Sequence, residues 1–522
     1  MKDPKELLTQ GISRRDGLKL SGLALGGLAL GSKVGAVCPP TAPCYPTTPD
    51  KTQYYKYFFD TIDTMDFTQA PVNPLTTRPP FFPTPTDTPA VEPNEMRITF
   101  MGSCIPPVRR AQAMMSIFVE VGNTNPSNPA RGKAVDEFIF DCGSGCVRNY
   151  GAMGVGYGRM DKIFINHLHG DHMSDLTHIY CFGPSLDRLS PLYVFGHSPS
   201  GVPSPRIPHQ MYDDGTKAFC QHLREALRWH SESFSFQNTS YQGYEPPTRR
   251  SWGLPHDPVP VGDDPTNDGY AMVPIELDWR LIGGVAYNNP ATGVRITHFP
   301  VIHCRQGSLG YKLEWNGLSM IYTSDTKPEK NTILQAINGG QGIDVLVHEM
   351  VVPPEVWAME ASHYNQPLPR GVNSTWDATV DRLAEVQNSS HTPQGAFGYL
   401  LSQIDPRPRL TVATHFPVSD DTIACALESV NKHCPDITDL GQGLTWSFDL
   451  MVIRVFAGNP KPEILQRRAL VLDYGFSPIA QMPSSPLNTP KYHKGNVGDP
   501  YAQIDPTYQI LPGDDTFCDE GY

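Results

Sequence analysis

The fold is decided by one stretch of the sequence, Ile163-Phe164-Ile165-Asn166-His167-Leu168-His169-Gly170-Asp171-His172. Its apolar first residues predict the end of a buried strand. Alternate side chains of an extended chain point the same way, so His167 and His169 can face one point, and Asp171 and His172 reach it from a turn. Imidazole and carboxylate groups suit Zn²⁺, with Mn²⁺ or Fe as alternatives, and ligands this crowded favour two divalent metal ions. The competing interpretation is a histidine-rich surface turn.

The composition is that of a large, acidic, proline-rich chain. It has 522 residues, a net charge of −13 and 52 prolines. This length can bury one large core or two, and the prolines predict long irregular stretches. The acidic balance argues against a surface that grips nucleic-acid phosphates, because such a surface is basic. The 11 cysteines include no CxxC pair, which argues against a structural zinc ribbon.

The hexapeptide at 167–172, His-Leu-His-Gly-Asp-His, resembles the HxHxDH signature of the metallo-β-lactamase superfamily. The resemblance implies an α/β fold of four layers, αββα, with two sheets packed face to face between helices. The superfamily's later motifs are matched in order along the chain. His303 resembles the third metal motif, with His298 as the competing candidate, Asp325 resembles the fourth motif, and His415 resembles the fifth.

The resemblance implies a complete set of ligands for two metal ions. In chain order these ligands are His167, His169, Asp171, His172, His303, Asp325 and His415. The first metal ion is assigned to His167, His169 and His303. The second is assigned to Asp171, His172 and His415, and Asp325 bridges the two. Asp141, at the end of a predicted strand, resembles the first motif and is expected to support the metal-binding loop without binding metal.

Two further motifs narrow the branch of the superfamily. His348-Glu349-Met350 and His391-Thr392 resemble two motifs of tRNase Z, and arylsulfatases of the same branch look alike here. The resemblance covers about 96–416, and the catalytic residues that it implies are Asp171, His391 and Glu349. In the implied reaction a metal-activated hydroxide attacks an ester, and His391, backed by Glu349, protonates the leaving group.

The substrate is expected to be a small phosphodiester or sulfate ester. A tRNA substrate is disfavoured, because the segment 198–290 holds Arg249-Arg250 but also Asp263, Asp264 and Asp268, and shows no clear basic arm. A lactonase and a non-catalytic binding protein that keeps the fold are the alternatives. The chain also resembles, more loosely, the metallo-hydrolases associated with guanitoxin biosynthesis.

The N-terminal region predicts export. Ser13-Arg14-Arg15-Asp16-Gly17-Leu18-Lys19 resembles the twin-arginine motif, and the apolar run that follows is too short to span a bilayer comfortably. An ordinary N-terminal helix is the alternative. We therefore expect passage through the twin-arginine translocase and a periplasmic or secreted protein; a homodimer is compatible with the sequence. The domains expected are a signal peptide at 1–36, a proline-rich arm at 37–95, a catalytic domain at 96–465 with an insertion at about 198–290, and an irregular tail at 466–522.

Hydrophobic patterning gives the elements between these motifs. Strands are expected at 97–100, 116–121, 137–140, 192–196, 318–322 and 410–414, and one late strand at 446–455. A helix is expected at 217–229, where apolar residues recur on one face, and another from His391 through Leu401.

Overall fold

The structure is a computed structural model. It describes residues 90–106, 112–124, 134–188, 190–207, 209–234, 270–352, 354–362, 368–416, 420–435, 437, 443–459 and 462–466. The expected signal peptide, nearly all of the expected arm and the tail beyond 466 lie outside these ranges. None of the helices within them is long and apolar enough to cross a membrane.

The secondary structure alternates strands with short helices. The strands are β1 Glu95–Gly102, β2 Ser116–Val121, β3 Asp136–Phe140, β4 Lys162–Phe164, β5 Leu192–His197, β6 Met272–Leu277, β7 Gly284–Asn289, β8 Val294–Pro300, β9 Leu309–Trp315, β10 Leu318–Tyr322, β11 Val345–Glu349, β12 Leu410–Thr414, β13 Leu444–Trp446, β14 Val452–Phe456 and β15 Glu463–Gln466. The helices are α1 Cys146–Ala152, α2 Gly170–Met173, α3 Leu176–Phe182, α4 Thr216–Ala226, α5 Arg228–Phe234, α6 Lys330–Ile337, α7 Pro354–Ser362, α8 Ser374–Ser390, α9 Gln394–Ser402 and α10 Asp420–His433.

Two mixed sheets form the centre of the molecule. The first has the strand order β15-β14-β1-β2-β3-β4-β5-β6, and the second has the order β13-β12-β11-β10-β9-β8-β7. In the first sheet the pairing changes from antiparallel to parallel at β3 and β4. In the second sheet β10, β11, β12 and β13 run parallel to one another.

Alternation along the strands builds separate layers. In β3, Phe138 and Phe140 enter the large core between the two sheets, while Ile139 faces a second core under α1 and α3. Successive side chains of a strand point to opposite faces, so one strand supplies both cores. On the outer side of the second sheet, Phe397 of α9 and Val430 of α10 pack against the strands. The four-layer αββα arrangement expected from the sequence is therefore confirmed.

The site residues share one edge of the sandwich because they follow the carboxyl ends of strands. Asp141 follows β3, Asp325 follows β10 and His415 follows β12. The carboxyl ends of parallel strands meet at the same edge of a sheet. Asp141, Ser324 and His415 all have a positive φ, of 57°, 54° and 56°. A positive φ is uncommon for non-glycine residues. Such residues are concentrated at functional sites, where the surrounding structure holds the backbone in this conformation.

Two expectations about the chain path are wrong. The stretch 446–455 is not one strand: β13 pairs with β12 in the second sheet, and after a turn β14 pairs with β1 in the first sheet. The expected insertion at 198–290 is also shorter than predicted, because β6 and β7 at its end belong to the two sheets.

The predicted helices are displaced rather than absent. The helix expected at 217–229 lies at α4 and ends at Ala226, with Leu227 as its C-cap. The helix expected from His391 starts at Gln394, because Pro393 is its N-cap. Leu223 and Phe219 of α4 pack against the smaller core, as the pattern predicts.

Candidate metal centre

Three histidines form the first cluster of side chains at the sandwich edge. His167 and His169 extend from the end of β4, and His303 lies in the loop between β8 and β9. Their ligand atoms all lie within 4.8 Å of one another. His303 donates from Nδ1 to the carbonyl oxygen of Ser390 at 2.8 Å, and its Nε2 lies 3.1 Å from Nδ1 of His169. The hydrogen bond to Ser390 thus fixes the orientation of the His303 ring and leaves Nε2 with a lone pair that can bind a metal ion.

A second cluster adjoins the first and contains Asp171, His172, Asp325 and His415. One oxygen of Asp171 lies 3.3 Å from Nε2 of His172 and 3.2 Å from Nε2 of His415. The loop after β4 brings Asp171 and His172 into this cluster through the short helix α2. The seven residues predicted as ligands are therefore all brought together, in the two groups that the resemblance implies.

Asp325 lies between the two clusters. Its Oδ1 is 3.3 Å from Nε2 of His172 and 3.4 Å from Nε2 of His415. Its Oδ2 is 3.7 Å from Nε2 of His303, in the first cluster. One carboxylate therefore faces ligands of both clusters, as the predicted bridging role requires. His298, the competing candidate for His303, belongs to neither group.

The donor atoms fit a pair of divalent ions. Among the residues that the structure describes, Nε2 of His167, Nε2 of His172 and Oδ1 of Asp325 are buried and have no hydrogen-bond partner. Buried polar atoms without partners are costly, and a pair of metal ions, one at each cluster, would satisfy all three. Nitrogen and carboxylate oxygen donors together suit Zn²⁺, Mn²⁺ or Fe. The residues present fit the metal ions that the sequence implies.

Electrostatics distinguish the two clusters. Burial lowers the pKa of His303 to about 3, which keeps its ring neutral and able to bind metal. Burial also opposes protonation of His415, but the carboxylates of Asp325, Asp171 and Glu349 outweigh it and raise the pKa to about 10. The second cluster therefore attracts positive charge, which a divalent cation would supply.

Asp141 holds the histidine loop from beneath. Its Oδ2 accepts from Nδ1 of His172 at 2.8 Å, from the hydroxyl of Tyr322 at 2.7 Å and from the hydroxyl of Ser324 at 2.8 Å. Its Oδ1 accepts from the backbone N–H of Asn166 at 2.8 Å. A carboxylate on the far nitrogen of a metal-binding imidazole fixes its tautomer and orientation. Tyr322 and Ser324 were not singled out from the sequence, because single polar residues beside strand ends carry no distinctive spacing.

Glu349 and His391 form a pair at the rim of the second cluster. Nδ1 of His391 lies 2.9 Å from one Glu349 oxygen, and the other oxygen accepts from the backbone N–H of Thr326. Glu349 is fully buried, whereas the side chain of His391 is 14% exposed. Burial opposes protonation of His391, but the Glu349 carboxylate outweighs it and raises the pKa of the imidazole. The pair predicted from the sequence is thus assembled, and Nδ1 of His391 lies 3.9 Å from Oδ2 of Asp325.

A cleft of about 340 Å³ opens beside the first cluster. Its walls include the three histidines of that cluster and residues from the β5, α4 and β8–β9 loops. Its other lining residues include His197, Asp213, Asp214, Phe219, His222 and Arg305.

Sequence comparisons with known proteins find ribonucleases Z and BN among the relatives. No family model matches the chain. A ribonuclease Z of Mycolicibacterium gilvum is 26% identical over 260 residues, which is 49% of this chain and 68% of that protein. A ribonuclease Z of Archaeoglobus fulgidus is 25% identical over 287 residues, 51% of this chain and 79% of that protein. A ribonuclease BN of an Enterobacter species is 30% identical over 107 residues, 20% of this chain, and the match spans only 32% of that protein.

Solved structures with weak similarity to this chain include two proteins. The metallo-β-lactamase fold protein YhfI of Bacillus subtilis has a TM-score of 0.39 and 12% identity, with 69% of this chain and all of that chain covered. The short form of human tRNase Z has a TM-score of 0.32 and 17% identity, with 69% of this chain and 98% of that chain covered.

Proposed function

We propose that this chain, a protein of the metallo-β-lactamase fold with sequence similarity to ribonuclease Z, hydrolyses a small phosphodiester with two divalent metal ions. One observation carries the proposal: the Glu349–His391 pair stands beside the bridging carboxylate of Asp325. A proton donor beside a site for two cations supports this reaction. Hydrolysis of a phosphodiester needs both, since the attacked phosphorus gains negative charge and the leaving oxygen needs a proton.

Each cluster of side chains has a distinct part in this reaction. His167, His169 and His303 would hold one ion, and Asp171, His172 and His415 the other, with Asp325 between them. Bound divalent ions lower the pKa of water and neutralise charge that develops on the phosphoryl oxygens.

Two side chains handle protons. His391 donates its proton to the leaving oxygen, and Glu349 keeps the proton on Nδ1 so that Nε2 faces the substrate. The carboxylate of Asp171 is placed to accept the proton of the attacking water. Both roles rest on side chains that the sequence already singled out.

The ribonuclease Z relatives support phosphorus rather than sulfur as the attacked atom. The acidic balance of the chain, −13, supports a small ester rather than a long nucleic acid. The twin-arginine motif supports a substrate outside the cytoplasm. Cell fractionation tests that part of the proposal: signal in the periplasm or medium that disappears when Arg14 and Arg15 are both changed to lysine supports export, and unchanged distribution contradicts it.

The activity is tested with two chromogenic esters side by side. Zinc- or manganese-loaded protein is assayed with bis-p-nitrophenyl phosphate and with p-nitrophenyl sulfate. We expect turnover of the phosphodiester and its loss in the His391→Ala variant. Turnover of the sulfate alone would assign the chain to sulfate esters instead. With two metals bound, no turnover of either ester would overturn both assignments and direct the search to lactones or to a binding role.

A further inference from the structure

The cleft beside the first cluster contains a buried hydrogen-bond acceptor that the reaction does not use. His197, at the end of β5, is only 6% exposed, and it lines the cleft together with His167 and His303. Its Nδ1 donates to the carbonyl oxygen of Ser198 at 2.9 Å. The proton therefore sits on Nδ1, and Nε2 carries a lone pair.

Nε2 of His197 has no hydrogen-bond partner among the residues that the structure describes. It is also absent from the set of side-chain atoms that are fully buried without a partner, so it is accessible. It therefore opens into the cleft. Burial lowers the pKa of this imidazole, so the ring stays neutral near pH 7. A buried, neutral acceptor with no partner in the described part of the chain is suited to a donor on a ligand.

The same cleft has an excess of negative charge. Among the described residues that line it, Arg305 is the one cation outside the histidines. Its guanidinium already donates to Asp214 at 2.6 Å and to the carbonyl oxygen of Val202 at 2.8 Å. Asp214 also accepts from the backbone N–H and hydroxyl of Ser200. Asp214 and Arg305 therefore neutralise each other.

Asp213 therefore supplies the negative charge in the cleft that remains available to a ligand. It is exposed, and the hydrogen bond shown for it is from the backbone N–H of Gly215 to one of its oxygens, at 3.1 Å. The ring of Phe219, which is partly buried, adds an aromatic wall. An acceptor, a carboxylate and an aromatic face together suit an ammonium group, whereas the phosphates of a nucleic acid strand would be repelled.

We propose that this cleft binds the primary ammonium end of an aminoalkyl phosphodiester while the phosphorus lies at the metal centre. The proposal rests on the proposed function. A volume of about 340 Å³ is enough for a short aminoalkyl chain and too small for a folded nucleic acid. A primary ammonium is favoured over a quaternary one, because only the primary group has N–H donors for Nε2 of His197 and for Asp213.

Three p-nitrophenyl phosphodiesters test this assignment. They carry a 2-aminoethyl, a 2-(trimethylammonio)ethyl or an ethyl group as the second ester. We expect kcat/KM to be highest for the aminoethyl ester, about tenfold or more above the ethyl ester, since a hydrogen bond to a charged group contributes at least that factor. The trimethylammonio ester should lie between them.

Asp213→Asn is the main variant, because Asp213 is exposed and its loss leaves the core intact. It should lower the aminoethyl-to-ethyl ratio of kcat/KM by about tenfold, mostly through a higher KM for the aminoethyl ester. The matched control is Asp381→Asn, which removes an exposed carboxylate of α8 that pairs with Arg370 and does not line the cleft. His197→Ala should act like Asp213→Asn, and His197→Gln, which keeps an acceptor, should restore part of the ratio.

The outcomes separate the two proposals. Equal kcat/KM for the three esters, or a ratio that Asp213→Asn leaves unchanged, overturns the ammonium site while phosphodiester hydrolysis stands. A trimethylammonio ester that equals the aminoethyl ester shows charge recognition without a donor and overturns the role of His197. No turnover of any of the three by protein with two bound metals overturns the proposed function itself.

Discussion

Nδ1 of His391 lies 2.9 Å from a carboxylate oxygen of Glu349, and the same oxygen lies 3.5 Å from Nδ1 of His415. One buried carboxylate therefore faces both the proposed proton donor and a proposed metal ligand. Glu349 reaches both because it ends β11, beside β12, whose carboxyl end His415 follows. The proposed proton donor and the proposed ligand of the second metal ion are thus held by the same side chain.

This arrangement predicts a loss of turnover without a loss of metal. His391→Ala should lower kcat for bis-p-nitrophenyl phosphate by about 10²–10⁴-fold, the usual contribution of a general acid. Glu349→Gln should lower kcat less, because the imidazole remains. Steady-state kinetics and metal analysis of the same samples check this. If the alanine variant also loses its metal, His391 is a ligand rather than a proton donor.

The bridging position of Asp325 predicts a change in metal content. Asp325→Asn should reduce the bound metal from about two ions per chain to one or fewer, because a bridging carboxylate serves both ions. Elemental analysis after gel filtration measures the stoichiometry. Asp278→Asn, which removes a carboxylate paired with Arg280 on an exposed turn, is the control and should keep two ions. Two ions retained by Asp325→Asn would contradict the bridge.

Asp449 accepts a set of buried hydrogen bonds, and its removal should lower the stability of the fold. This buried carboxylate accepts from the hydroxyl of Ser103 at 2.8 Å, the backbone N–H of Ala113 at 2.6 Å and Nδ2 of Asn149 at 2.7 Å. Asp449→Ala leaves several of these buried donors without an acceptor and should lower the free energy of unfolding by about 3 kcal/mol. Urea denaturation of metal-loaded protein measures it. A loss below about 1 kcal/mol would show that water replaces the carboxylate.

The buried carboxyl group of Glu329 should make a pH-dependent contribution to the free energy of unfolding. It caps α6 by accepting from the backbone N–H groups of Asn331 and Thr332, and burial raises its pKa from about 4.5 to about 7. A raised pKa means that the folded state holds a proton which the unfolded state has lost. The contribution is therefore fully present below pH 4.5 and is lost as the pH rises through 7.

The Glu329→Gln variant isolates this contribution. The difference in unfolding free energy between the wild type and the variant should fall by on the order of 3 kcal/mol between pH 4.5 and 8. Denaturation at both pH values measures it, and Glu385→Gln, an exposed position on α8, is the control. A difference that is constant across this range would show that Glu329 is ionised throughout.

The candidate metal ligands could be named from the sequence because they match the motifs of the metallo-β-lactamase superfamily in order. Asp325 and His415 also follow strand ends, and a sheet brings the side chains at its strand ends to one edge. The choice of His303 over His298 rests on the same resemblance, and the structure agrees with it: His298 lies inside β8, whereas His303 lies in the loop after it.

The remainder depends on contacts between distant segments. The crossing between β13 and β14 is set by buried polar contacts of Asp449 with residues more than 300 positions earlier, which no local pattern records. The sequence of β6 does not alternate clearly between apolar and polar residues, and it contains Pro274. A proline is tolerated there because β6 lies at the edge of the sheet, where a missing N–H breaks no pairing. The cleft residues come from separate loops, and isolated residues such as His197 and Asp213 have no spacing to mark them.

The placement of β14 has a consequence for the order in which the chain can fold. β1 is paired on one side by β2 and on the other by β14, which is synthesised some 350 residues later. Until 452–466 leaves the ribosome, one edge of β1 has free N–H and C=O groups, and such an edge can pair with another chain. The first sheet can therefore be completed only after residues 452–466 have been synthesised. A product truncated before 452 should aggregate rather than fold into a smaller functional domain.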